Sequence, residues 1–149
     1  MYKHILLPTD GSELSAKAEA QAIKLAKSLG AKLTAIHITP EFPDMGLDED
    51  RPMHTPAIVK RRFHEESAER SKNFLDKVKA DADAAGVECQ GISVPGDHPY
   101  DEIIKQAEKT NCDLIVMASH GRNALSGILL GSETNKVLSH STVPVLVVR

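Results

Sequence analysis

Tryptophan is absent from this chain of 149 residues, and two tyrosines and three phenylalanines are its only aromatic residues. Flavin sites, base-stacking surfaces and sugar sites recruit aromatic faces, so the scarcity argues against all three. Cysteine occurs twice, as Cys89 and Cys112, with no CxxC or Cys/His spacing. Neither a disulfide framework nor a zinc site is indicated, and both thiols are expected as small core residues. Charge of one sign is also missing: 18 Lys and Arg against 21 Asp and Glu leave a net −3, and the largest basic cluster is Lys60-Arg61-Arg62. That balance speaks against nucleic acid or an anionic membrane as a partner. No apolar run approaches the ~20 residues of a membrane span. Met1-Tyr2-Lys3-His4 leads straight into a strand-like stretch without the architecture of a signal peptide, so the expected location is the cytoplasm. Two nucleotide-binding strings are missing as well, the GxxxxGK loop of P-loop enzymes and the GxGxxG of dinucleotide dehydrogenases.

A hydrophobic fraction of 41% supports a real core, since a chain of this length buries roughly two-thirds of the surface that its unfolded form exposes. One domain over residues 1–149 is expected. Five runs read as strands: His4 to Leu7, Lys32 to Ile38, the weaker Val87 to Val94, Leu114 to Met117, and Val143 to Val148. Between the first two, Leu14, Ala18, Ala22, Leu25, Ala26 and Leu29 recur at helical spacing, with Ser12 placed to cap the start and Gly30 to close the end. A second amphipathic stretch carries Phe63, Phe74, Leu75, Val78, Ala82 and Ala85 and stops at Gly86; a third follows Asp97 with Tyr100, Ile103, Ile104 and Ala107 inward. A fourth runs from Ser132 to about His140. Strands alternating with helices imply an α/β, doubly wound fold with parallel pairing through right-handed crossovers. In such a sheet the ligand lies beyond the C-terminal ends of the strands, where the strand order reverses. The stretch from Glu41 to Pro56, with its prolines and acidic run, reads either as a lid or as a solvated connection.

Function is therefore sought just after the first, second and fourth strands. After the fourth, Gly121 opens a long turn and Gly131-Ser132 opens a helix. Backbone N–H groups there can converge on an anion at a helix N-terminus, with a Ser132 hydroxyl and the Arg122 charge to add. The same glycines are also compatible with plain turns, and Ser132 with a plain cap. Asp10 has no acidic neighbour, which suits a hydroxyl acceptor better than a two-carboxylate metal site; an Asx turn ahead of the first helix is its other reading. His37 and His120 fall near the expected cleft but lack a nearby nucleophile or second ligand. Strand-end packing is expected for His37 and hydrogen bonding to neighbouring groups for His120, while His4, His54, His64, His98 and His140 read as surface or cap residues.

Ala118-x-x-Gly121, nine residues, then Gly131-Ser132 closely resembles the G-x-x-G, nine-residue gap, G-S/T loop in the ATP-binding branch of the universal stress protein family. The likeness includes the opening His4-Ile5-Leu6-Leu7-Pro8-Thr9-Asp10-Gly11-Ser12, the second-strand Ala35-Ile36-His37-Ile38 and the closing Val143-Pro144-Val145-Leu146-Val147-Val148. The resemblance implies a Rossmann-like, five-stranded sheet ordered 3-2-1-4-5 with ATP between strands 1 and 4. It implies that Pro8 and Thr9 flank the site, Asp10 bonds the ribose, Ile38 meets the adenine, and Met117 and Ala118 line the ribose side. Gly121, Gly131, Ser132 and the backbone of Glu133 would take the phosphates. Magnesium or another divalent metal would be held mainly through those phosphates, and two copies would form a homodimer through the last strand. The sequence departs from the pattern at Ala118, where the family carries its first loop glycine. A regulatory nucleotide-binding module is the expected role, with a slow ATPase or phosphotransfer protein at the same site as the alternative.

Overall fold

The computed structural model describes residues 1–43, 57–121 and 130–149. Nine elements follow one another: β1 (His4–Pro8), α1 (Glu13–Leu29), β2 (Lys32–Thr39), α2 (Ala57–Ala85), β3 (Cys89–Pro95), α3 (Pro99–Lys109), β4 (Leu114–Ala118), α4 (Ser132–His140) and β5 (Val145–Val148). The strands form one sheet in the order β3-β2-β1-β4-β5, all parallel. The doubly wound arrangement and the inferred order are both present.

Alternation along the strands divides the core in two. Ile5, Leu7, Leu33, Ala35 and Val116 face α1 and α2, while Leu6, Ile36, Ile115 and Met117 face α3 and α4. Strands covered on both faces read as continuous apolar runs, which is why β1 and β4 stand out in the sequence. On α1 the inward stripe is Ala18, Ala22 and Ala26, each with no exposure; these small side chains bring the helix axis close to the sheet. The Ser12 hydroxyl accepts the Ser15 N–H at the start of α1, and Gly30 ends it at φ 63°. Both caps lie where the sequence places them.

Three boundaries and two side chains differ from expectation. Helix α2 begins at Ala57, six residues before Phe63. Its first turns lack an inward stripe, since Ile58 and Val59 are exposed, and an Arg61–Glu65 pair at i,i+4 spacing is the kind of local contact that carries helix there. Strand β3 starts at Cys89 rather than Val87. Strand β5 starts at Val145 rather than Val143, because Pro144 has no N–H and joins the sheet only by accepting the Ile115 N–H at 2.9 Å. His4 is no surface residue. It is buried in β1, its Nε2 lies 2.7 Å from Thr34 Oγ1, and burial, aided by Lys32, lowers its pKa from the usual 6.5. Cys112 is buried as expected, whereas Cys89 is half-exposed.

Candidate functional site

The sheet order reverses beside β1: the chain leaves it for β2 on one side and returns to β4 on the other. The C-terminal ends of β1 and β4 are therefore neighbours, with α1 and α4 on opposite faces of the sheet, and it is in the crevice at such a reversal that sheets of this kind take their ligand. Asp10 stands on one wall. Its Oδ1 accepts the Ser12 N–H at 2.9 Å, so the Asx turn is formed. Its Oδ2 faces Gly121 on the other wall so closely that a Cβ built there would lie 2.5 Å from it. The turn and the cleft readings of Asp10 are thus compatible, since each uses a different carboxylate oxygen.

The loop carrying Asp10 is held from inside the protein. Thr9 is buried, with its N–H on Ile36 O and its hydroxyl donated to Glu19 Oε1 at 2.6 Å. The Asp10 N–H points to Ser15 Oγ at 3.4 Å and the Gly11 N–H to Thr9 Oγ1 at 3.4 Å. The N–H groups of residues 9–12 are consequently all directed to acceptors within the fold. Gly11 has φ 73°, and the Phe74 ring from α2 fills the space where a side chain would stand.

On the β4 side the two glycine-marked segments are pinned together. Gly131 donates its N–H to Ser119 O at 2.7 Å, Ser119 donates to Val148 O at 2.8 Å, and Thr134 Oγ1 donates to Ala118 O at 3.1 Å. A Cβ on Gly131 would come within 3.1 Å of His120 Cα. The Gly131 N–H is therefore spent within the fold, contrary to the expectation of converging donors from both segments, and this glycine serves close approach. The amides of Ser132 and Glu133 open α4 with no intrahelical acceptor. The Glu133 side chain is turned away, its Oε2 accepting the Tyr100 N–H at 2.9 Å and its Oε1 pairing with Lys136 at 3.2 Å. Only its backbone is presented at the helix start, and Ser132 is exposed there.

The remaining expected residues sort by face. Ile38 packs with Val94 and Tyr100 on the α3–α4 side, where Met117 is buried, while Ala118 packs toward the α1–α2 core. Pro8 ends β1 half-buried. Arg122 lies outside the described residues, as do residues 44–56 of the stretch read as lid or connection. His37 packs its ring edge-on against Phe74 at 5.1 Å, and His120 Nδ1 lies 3.1 Å from Ser119 Oγ. Both match their expected supporting roles. Sequence reasoning missed Glu19 and read Phe74 only as part of an amphipathic helix; in the structure both fix the Asp10 loop.

Comparison with known proteins places this geometry in context. The sequence profile of the universal stress protein family matches residues 1–149. Universal stress protein MJ0531 of Methanocaldococcus jannaschii is 37% identical over 149 residues, covering 100% of this chain and 83% of the relative. The solved structure of MJ0577 from the same organism superposes with a TM-score of 0.79 at 33% identity, over 99% of this chain and 96% of that one. A universal stress protein solved in complex with cAMP superposes with a TM-score of 0.71 at 26% identity, over 99% of this chain and 97% of its own.

Proposed function

The chain belongs to the universal stress protein family, and on that premise we propose that it binds ATP between the ends of β1 and β4 and acts as a nucleotide-dependent regulatory module in stress response. The observation that carries the reading is the pair of glycines at this point: a side chain at Gly121 would press on the Asp10 carboxylate and one at Gly131 on the His120 backbone, so bare backbone flanks the opening of α4. In this reading Asp10 accepts from a ribose hydroxyl, Pro8 and Thr9 form the wall behind it, and Ile38 meets the adenine. Met117 and Ala118 border the ribose. The phosphates lie against Gly121 and Gly131 and accept from the Ser132 and Glu133 amides and the Ser132 hydroxyl, where the helix dipole favours negative charge; Arg122 adds its charge. The cAMP complex of a relative supports an adenine nucleotide as the ligand class.

Magnesium or another divalent ion accompanies the phosphates, whose hard oxygens with water are its preferred ligands; among the described residues no group of three His, Cys, Asp or Glu is arranged to hold a metal. The single domain is read as a homodimer joined through antiparallel β5 strands, since Leu146 is exposed on this edge strand and an unpaired apolar edge favours association. A cytoplasmic location completes the reading; no described helix is long and apolar enough to cross a membrane. The direct test is to denature freshly purified protein and identify the nucleotide released. Titration calorimetry with ATP giving no heat, with and without magnesium, together with no competition against a fluorescent ATP analogue, overturns the reading. Steady phosphate release by the metal-loaded protein replaces the switch with a slow ATPase or phosphotransfer enzyme at the same site.

A further inference from the structure

We propose that Glu19 of α1 is a positioning residue that sets the Asp10 carboxylate for the ligand; the ligand-binding half of this inference rests on the nucleotide reading above. A carboxylate on the inner face of an otherwise alanine-striped helix is costly to bury, and Glu19 is only 6% exposed. It stands at the end of a polar chain that starts in the crevice. Ser12 N–H donates to Asp10 Oδ1 (2.9 Å), Ser15 N–H to Ser12 Oγ (3.1 Å) and Asp10 N–H to Ser15 Oγ (3.4 Å). The Ser15 hydroxyl lies 2.8 Å from Thr9 Oγ1 and 3.3 Å from Glu19 Oε1, and the Thr9 hydroxyl donates to the same oxygen at 2.6 Å. One carboxylate oxygen thus orients both hydroxyls that hold the backbone of the Asp10 loop.

The other oxygen reaches a different element. Glu19 Oε2 lies 3.4 Å from Lys77 Nζ on α2, and Lys77 also pairs with Asp81 at 3.0 Å. Three residues before Lys77, Phe74 covers Gly11. Helix α2 therefore grips the loop twice, by the Phe74 ring directly and by the Lys77 ammonium through Glu19. Without the Glu19 acceptor, the Thr9 and Ser15 hydroxyls re-pair, the loop loses its fixed donors and acceptors, and Asp10 no longer stands where Gly121 makes room for it. A packing role alone has a different signature, because any side chain of similar volume would then serve.

The test uses the intact chain with Glu19→Gln, Glu19→Leu, Thr9→Val and the Glu19→Leu/Thr9→Val double variant, and Leu33→Val as a core control at the opposite end of the strands, where Leu33 is buried beside Ile5 and Cys89. Two readouts are taken: amide hydrogen exchange of residues 10–15 without nucleotide, and affinity for a fluorescent ATP analogue with magnesium. Expected for Glu19→Leu is faster exchange across residues 10–15 and an affinity loss of about tenfold. Glu19→Gln, which keeps an acceptor oxygen for Thr9, stays within about threefold of wild type. Thr9→Val reproduces most of the Glu19→Leu loss, and the double variant is no worse than the poorer single one, since both changes cut the same link. Should Glu19→Leu not fold, Glu19→Gln and Thr9→Val decide the matter. Wild-type exchange in Thr9→Val, additive losses in the double variant, or an equal affinity loss in Leu33→Val overturns the proposal. A wild-type chain that binds no analogue defeats the nucleotide reading instead, and the exchange data alone then decide whether Glu19 holds the loop.

Discussion

Replacing Gly121 by Ala adds one methyl group at the point where the two walls of the crevice meet. The new Cβ would lie 2.5 Å from Asp10 Oδ2 and 3.6 Å from its Cγ. Gly121 has no left-handed φ, so alanine carries no backbone penalty there, and among the described residues the Asp10 carboxylate is what the new methyl meets. Asp10 is half-buried and short, and it clears the methyl by rotating, which gives up the 2.9 Å bond from the Ser12 N–H. For a partly solvated bond that costs about 1 kcal/mol, a melting-temperature loss of roughly 2–4 °C in a chain of this size. If Asp10 accepts from a ribose hydroxyl, the same rotation forfeits a charge-assisted hydrogen bond of about 1.5–3 kcal/mol. Affinity for ATP then falls about ten- to hundredfold. Gly30→Ala supplies the contrast: Gly30 has φ 63° and open space around its missing Cβ, so it loses about 1 kcal/mol of stability from left-handed strain and no affinity. The assays are thermal unfolding without ligand and competition against a fluorescent ATP analogue with magnesium. Wild-type affinity in a folded Gly121→Ala, or equal affinity losses in the two variants, refutes the assignment of Asp10 and Gly121 to the ligand.

Gly131→Val should lower both stability and affinity, because its Cβ meets His120 Cα at 3.1 Å and that atom cannot turn aside; a variant with an unchanged melting temperature contradicts the packing described for α4. His4 gives stability a pH dependence. Its folded pKa is lowered from 6.5 by burial, so the unfolded chain binds the proton more readily, and the stability that is full above pH 6.5 is lost as pH falls through the folded pKa. His4→Gln, which keeps a partner for Thr34, should flatten denaturant midpoints measured across this window, and an unaltered slope assigns it to other groups. Val147→Lys on β5 should convert a homodimer to monomers in sedimentation at micromolar concentration, and a dimer that persists moves the interface elsewhere.

What was legible in the sequence follows the range of the interactions involved. The limits of α1 were readable because Ser12 and Gly30 act on the backbone within one turn of themselves. The two-faced burial of β1 and β4 was readable because period-2 alternation places every apolar residue of a continuous run on one core or the other. The start of α2 was not, since its first turns are exposed and carry no inward stripe. His4 escaped for a different reason: its burial and its bond to Thr34 arise only when β1 pairs with β2, thirty residues on.

The same distinction separates the parts of the candidate site. Asp10, Gly121, Gly131 and Ser132 announce themselves because glycine and a lone carboxylate after a strand have few local uses. The residues that set their geometry do not, because their partners are distant: Glu19 reads as one more polar residue on a helix until Thr9 and Lys77 close on it from positions 10 and 58 residues away. Even at Gly131 the glycine was foreseeable, yet its purpose was not. Its N–H is committed to Ser119 and its missing side chain makes room for His120, so the donors left for an anion begin at Ser132, one residue later than glycine spacing suggests. A motif therefore marks where bare backbone is needed, and only the packed neighbours determine whether that backbone donates to a ligand or steps aside for it.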